Sequence, residues 1–315
     1  MIVVLTGGTG GAKFVDGMRR VVASDELTLI VNTGDDSKWW GLSVSPDIDS
    51  IVYVLADLLS NERGWGFKND TFFCLRTMAD LREEAWFKIG DRDLAMHILR
   101  SKLLAEGKSL SEATAEIAAR LNVAAHVLPM SNDPVETRIR TAIGELSFEE
   151  YFVKRRYQDE VISVRFAGGE KAKPAPGVLD AILSADVVVL APSNPVTSIG
   201  PILAVGRIRQ ALRETSAQIV AVSPIIGNAA VSGPAASLMA SQGLPVSIGG
   251  VAKAYDDFLD VLVVDTIDEE KGRLLEREGP RVFPTNTLMR TQADKVKLAR
   301  EVLSQVAQFA GAAHR

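Results

Sequence analysis

The chain has 315 residues, 47% of them hydrophobic and 24% charged, with a formal net charge of −5. That is the balance of a globular protein with a sizeable core, and the lack of any basic block argues against nucleic acid as a partner. Cys74 alone cannot form an internal disulfide, no basic leader precedes the first strand, and no apolar run approaches the roughly 18 residues of a membrane helix, so a cytoplasmic protein without a membrane partner is expected.

The predicted elements alternate. Strand-like runs at Ile2–Leu5, Leu27–Val31, Val187–Ala191, Ile219–Val222 and Val261–Val264 are short, β-branched and continuously apolar, the signature of strands covered on both faces. After the first strand and its glycines, Lys13–Val22 carries an apolar helical stripe. Ser45-Pro46-Asp47 reads as N-cap, N1 and N2 of a second helix. Residues 57–122 read as an almost wholly helical insert, with Asp91 opening one helix that Gly107 closes and Ser109 to Glu112 spelling a capping box that Asn122 ends. A hairpin turn is expected at Gly144, and 167–177 is a breaker-rich connection. The pattern predicts one α/β domain over 1–315: a doubly wound, Rossmann-like, mostly parallel sheet with a helical insertion.

Four loops at predicted strand ends carry the chemistry. The first, with Gly7, Gly8, Gly10 and Gly11, fits neither G-x-G-x-x-G nor the P-loop spelling, since Ala12 separates Gly11 from Lys13. Its physics is still that of a phosphate site: close backbone approach, a helix N-terminus, and Lys13 as a cation. The alternative is a tight turn with no ligand. The second loop presents Asp35 and Asp36, then Asp47 and Asp49 in a helix first turn. Two residues apart on a helix, Asp47 and Asp49 point differently. Asp35 with one of them makes a carboxylate pair suited to Mg²⁺, against the plain reading of acids complementing a helix dipole. Loops 191–203 and 223–236 add Ser, Asn, Gly and Pro at strand ends. His97, His126 and His314 show no paired spacing, which speaks against zinc, and His97 reads as a packed or rim residue.

The strings "GGTGGAK", "NTGDD", "SPDIDSIVYVLADL", "GWGFKNDTF", "KIGDRDLAMHILR", "LPMSNDPVETRI", "APSNPVTSIGPIL" and "SPIIGNAAVSGPA", in that order, closely resemble the 2-phospho-L-lactate transferases of coenzyme F420 biosynthesis. The likeness runs from about residue 1 to 265 and weakens beyond. The resemblance implies a Mg²⁺-dependent, dimeric enzyme with a guanosine diphospho-activated three-carbon acid as donor. It implies the deazaflavin Fo (7,8-didemethyl-8-hydroxy-5-deazariboflavin) as acceptor and GMP as leaving group. It also implies roles by residue. Gly8, Thr9, Gly10 and Gly11 cradle the diphosphate. Asp35 and Asp47 hold the metal, and Asp49 and Lys88 contact Fo. Ser193, Asn194, Ser198, Gly227 and Asn228 line the guanosine side. Asp35 and Asp49 are both candidates to take the hydroxyl proton. Arg92 is either a phosphate clamp or a surface partner of Asp93. Trp39, Trp40 and Trp65 are candidates to stack on the deazaflavin, with core packing as the alternative. The acid on the donor stays open among 2-phospholactate, phosphoenolpyruvate and 3-phosphoglycerate.

Two rival classes remain to be weighed. A nucleotide-sugar-binding regulator without catalysis has little use for Asp35, Asp47 and Asp49 unless a metal intervenes. An NAD(P)-dependent oxidoreductase requires a completed glycine fingerprint, which is missing.

Overall fold

The computed structural model describes residues 1–277 and 279–310, the last five of these through the backbone alone. His314 lies outside the described residues. Seven strands form the central sheet: β1 (Ile2–Thr6), β2 (Leu27–Val31), β3 (His126–Pro129), β4 (Val187–Leu190), β5 (Gln218–Val222), β6 (Val261–Asp265) and β7 (Arg281–Thr285). Their order across the sheet is β7-β6-β5-β4-β1-β2-β3, and every pairing is parallel. The chain therefore winds outward from β1 to β3, returns, and winds outward again from β4. The reversal leaves a crevice beyond the carboxyl ends of β1 and β4.

Alternate strand residues feed two cores, as a period of two requires. Val3, Leu5, Ile30, Val188 and Leu190 pack with Ile182, Ile208 and Leu212 on one face. Val4, Leu29, Val31, Val187 and Val189 pack on the other with helices that include α1 (Gly8–Met18), α2 (Pro46–Leu55) and, further along the chain, a C-terminal helix, Gln292–Ala310. Each fully buried aliphatic of this kind contributes about 1.5–3 kcal/mol.

The five predicted strands are all present. The two edge strands escaped prediction because β3 is a four-residue segment that exposes His126, and β7 contains Pro284, which only an edge tolerates. The hairpin at Gly144 joins Glu136–Thr141 to Gly144–Ser147, and Val161–Ala167 completes a separate antiparallel sheet.

Between β2 and β3 lie helices α3 (Phe73–Asp80), α4 (Asp91–Ala105) and α5 (Leu110–Arg120). Segments 57–72 and 81–90 are irregular rather than helical, with Asp57, Gly64, Gly66, Asn69 and Arg82 at positive φ. The capping box forms as spelled: Glu112 N–H donates to Ser109 Oγ (3.3 Å) and Ser109 N–H to Glu112 Oε2 (2.8 Å). Asp91 opens α4 by position, yet its carboxylate caps α3 instead, accepting from the amides of Phe73 and Cys74 at 2.9 Å. Among the described residues no helix is long and apolar enough to cross a membrane.

Candidate functional site

The crevice opens into a cleft of about 1620 Å³. Its floor is acidic. Asn32, immediately after β2, donates through Nδ2 to Asp35 Oδ2 (3.0 Å) and to Asp47 Oδ2 (2.9 Å), holding the two carboxylates on either side of one nitrogen. Glu149 enters the same wall from the turn that precedes Glu150–Lys154. All three acids are buried, and none forms an ion pair among the described residues. Burial, then repulsion from Asp47 and Glu149, pushes Asp35 well above the carboxylate range. Burial and Asp47 push Glu149 up to about 8. Burial likewise raises Asp47, though hydrogen bonds from Asn32 and Gly8 oppose it. Asp35 Oδ1 is buried with no hydrogen-bond partner among the described residues. Crowded, under-neutralised oxygen donors beside a helix N-terminus fit a hard divalent cation such as Mg²⁺.

Two residues along α2, the chemistry changes. Asp49 forms a two-pronged ion pair with Arg100 of α4, with Arg100 Nη1 donating to Asp49 Oδ2 (3.0 Å) and Nη2 to Oδ1. Arg100 is fully buried. His97 stands one helical turn from it, with Nδ1 3.5 Å from Asp49 Oδ2 and Nε2 3.6 Å from Asp93 Oδ1. Tyr53 Oη donates to Asp93 Oδ1 at 2.7 Å. Burial, followed by Asp49 and Asp93, raises the Tyr53 phenol well above its ordinary range, so it stays a donor. Asp49, Tyr53, Asp93 and His97 all line the cleft.

Residues 2–304 match the sequence profile of the family described as 2-phospho-L-lactate transferase CofD. The chain is 40% identical over 304 residues to the 2-phospho-L-lactate transferase of Methanosarcina mazei, covering 96% of this chain and 99% of the relative. It is 42% identical over 314 residues to that of Methanopyrus kandleri, covering 98% and 99%. It belongs to this transferase family. A crystal structure of a UPF0052-family protein from Bacillus halodurans shares the fold, with a TM-score of 0.67 at 17% identity over 96% of this chain and 99% of that one.

Against that family background, the predicted site residues separate. Gly8, Thr9, Gly10, Lys13, Asp35, Asp47, Asp49, Lys88, Ser193, Asn194 and Ser198 are brought together around the one cleft. The glycines act differently from a bare cradle, because α1 begins at Gly8 rather than at Lys13. Gly8 N–H is taken by Asp47 Oδ1 (2.7 Å), which leaves the Thr9 and Gly10 amides of the first turn for a ligand. A Cβ on Gly10 would run into the Pro192 carbonyl, and one on Gly11 into Thr6 Oγ1 and Ser193 Oγ. Gly11 is thus a packing residue beneath the cleft and does not line it. Ser193 donates to the Gly7 carbonyl at 2.7 Å and ties the β4 loop to the start of α1, while Asn194 Oδ1 accepts from Val196 N–H at 2.9 Å and braces the loop itself.

Three predicted residues lie elsewhere. Gly227 and Asn228, at φ +57° and +74°, form the tight turn of a two-residue hairpin. That turn is pinned away from the cleft, with Gly227 N–H donating to Asp268 (2.7 Å) and Lys271 to Asn228 Oδ1 (3.0 Å). The cleft is instead walled there by Ser223, Pro224 and 231–235. Arg92 does not line the cleft and, among the described residues, makes no ion pair with Asp93. Its guanidinium lies 5.0 Å from the Phe67 ring centre and donates to the Lys68 carbonyl at 3.3 Å.

Ser45 sits at the N-cap position of α2, but its hydroxyl donates to Asp36 Oδ2 (2.6 Å) and accepts no capping hydrogen bond from the helix amides. Trp39 is buried and packs edge-on against Trp86, with ring centres 4.8 Å apart. Neither Trp39 nor Trp40 lines the cleft; Trp65, Trp86 and Phe87 do.

Glu149, Arg100 and Trp86 were missed. Arg100 closes the string KIGDRDLAMHILR, one turn from His97 on the same face of α4, but the resemblance assigns it no role; Glu149 and Trp86 lie in none of the strings that carry the resemblance. The C-terminal segment, silent in sequence, contributes Thr287, Leu288, Met289 and Arg290 to the far wall.

Proposed function

We propose that this chain transfers a phosphorylated three-carbon acid from a guanosine diphospho-donor to a ribityl hydroxyl of Fo, releasing GMP, in coenzyme F420 biosynthesis. The observation that carries this reading is the family match combined with a cleft in which a helix N-terminus and an under-neutralised acidic floor meet. In this reading the Thr9 and Gly10 amides and Lys13 hold the donor's diphosphate. Ser193, Asn194 and Ser198 flank its nucleoside, and Lys88 with Asp49 bounds the acceptor. Asp35 and Asp47 hold Mg²⁺, with Glu149 beside them. Bound there, the ion neutralises charge on the diphosphate oxygens. The remaining barrier is lowered by positioning the hydroxyl in line with the phosphorus, with no protein nucleophile required.

A nucleotide-sugar regulator without catalysis is less well supported, because a binder of anionic phosphate gains nothing from three buried acids without such an ion. We further expect a homodimer in the cytoplasm.

Incubating the protein with Fo, Mg²⁺ and each guanylylated three-carbon acid in turn, followed by mass spectrometry, tests the reading. The expected result is one phosphodiester product and GMP, dependent on Mg²⁺. No product with any of the three donors would overturn it.

A further inference from the structure

Resting on the transferase reading, we propose that Arg156 grips the carboxylate of the donor's three-carbon acid and so sets the preference for acidic donors. Three cationic residues run in succession at 154–156. Lys154 is tied to Glu84 at 2.8 Å and lies over the Trp86 ring. Arg155 is tied to Asp159, with Nη2 2.7 Å from Oδ1, and does not line the cleft. Arg156 does line it, and among the described residues its guanidinium has neither an ion pair nor a hydrogen bond.

The backbone is bent to put it there. Glu150–Lys154 is a wide helical turn, and Arg156 and Tyr157 follow it at φ +52° and +46°. Helices commonly end on one left-handed residue, usually glycine. Here an arginine takes that place and a tyrosine repeats it. Side chains disfavour this conformation, and such strain gathers at ligand sites. Packing holds it. Tyr157 stacks on Phe152, with ring centres 5.6 Å apart, and Phe152 on Phe148 at 5.4 Å. Tyr157 N–H donates to the Tyr151 carbonyl (2.8 Å) and Arg155 N–H to that of Glu150 (2.9 Å), which closes the chain back on the turn that begins beside Glu149.

The charges say what this arginine is for. With the diphosphate over Thr9, Gly10 and Lys13, the phosphorus that bears the acid lies beside the acidic floor. Asp35, Asp47 and Glu149 repel the acid's carboxylate and turn it toward a cation. Lys13 belongs to the diphosphate, and Lys68 and Lys88 lie on the insert at the acceptor's end. Arg290 stands on the far wall with the C-terminal segment. Arg156 is on the segment that carries Glu149, and a guanidinium meets a carboxylate with two parallel hydrogen bonds. 2-Phospholactate, phosphoenolpyruvate and 3-phosphoglycerate all bear that carboxylate. Arg156 therefore selects acids over uncharged substituents and does not choose among the three.

Calorimetry of wild type, Arg156→Asn and Arg156→Lys, with Mg²⁺ and without acceptor, tests this. Asparagine tolerates the left-handed backbone, and lysine keeps the charge without the fork. The probes are the three guanylylated acids, guanosine 5′-ethyl diphosphate as a donor lacking the carboxylate, and GDP as a check on the folded site. Wild type should prefer at least one acid to the ethyl compound by ~10–100-fold. Arg156→Asn should lose that preference while binding GDP and the ethyl compound within about threefold of wild type, and Arg156→Lys should keep only part of it. A preference absent from wild type, or unchanged in Arg156→Asn, overturns the proposal. So does an equal loss for every probe in both variants, which would make Arg156 a scaffold residue. Those results leave the transferase reading intact, whereas a wild type that binds no guanylylated acid overturns both.

Discussion

Asp47 and Asp49 are two residues apart on one helix, yet they belong to opposite electrostatic regimes. Asp47 faces Asp35 and Glu149, a group of buried acids without a cationic side chain. Asp49 faces Arg100, His97 and Asp93, where a buried guanidinium balances the charge. About 200° of helical rotation separates the two side chains. The comparison teaches that a buried carboxylate is defined by its neighbours. Among the described residues the first cluster has no protein counter-charge, whereas the second is largely neutralised by the fold.

The sharpest way to break this comparison is substitution in each cluster. Asp35→Asn should lower turnover by about 10²–10³-fold, the effect of losing roughly 3–4 kcal/mol of metal-assisted stabilisation. It should at the same time raise the melting temperature of the metal-free protein, since it removes a buried acid whose ionisation is opposed by burial and by its like-charged neighbours. A variant with unchanged Mg²⁺-dependent turnover would remove Asp35 from the chemistry. Arg100→Met should do the opposite to stability, costing about 3–5 kcal/mol because Asp49 is left buried and unpaired. Denaturant unfolding measures both, and equal signs would erase the distinction.

The pH response separates the clusters more gently. Glu149 is raised from 4.5 to about 8 in the folded protein, so the folded state holds that proton more tightly than the unfolded chain. Its contribution to stability is complete below the unfolded value and is lost as pH climbs toward 8. Metal-free protein should therefore melt progressively lower across that window. Excess Mg²⁺ should reverse the loss, and Glu149→Gln should make it shallower, leaving the part that comes from Asp35 and Asp47. A flat profile in the wild type would contradict the burial assigned to this acid.

Smaller effects map the cleft's ends. Lys88→Ala should weaken acceptor binding about tenfold and donor binding less, as the loss of one charge-assisted contact implies. Fo fluorescence titration decides this, and equal losses for both ligands would move Lys88 off the acceptor side. Asn228→Gly should leave donor affinity within about twofold, because its turn is pinned to Lys271 outside the cleft. A larger loss by calorimetry would return that turn to the site.

Much of this protein was legible in the chain itself. Five apolar strand runs, the capping box at Ser109 and the loops at strand ends follow from local periodicity and side-chain chemistry, which act over a few residues. Those loops carried Asp35, Asp47 and Ser193 to one crevice because a doubly wound sheet sends every strand's carboxyl end the same way. Glycine spelling, by contrast, could not tell a ligand contact from a packing contact. Gly11 meets Thr6 and Ser193 across the fold, and Gly227 belongs to a hairpin turn.

The sequence by itself determined the architecture and the presence of an acidic, glycine-lined crevice. Only the tertiary structure decided which acids have counter-charges: Arg100 lies 51 positions from Asp49, and Glu149 arrives just past the strand Gly144–Ser147 of a separate antiparallel sheet. Spacing along a chain fixes which face a side chain occupies, but electrostatic partnership depends on distance in space, and that is set by how the elements pack.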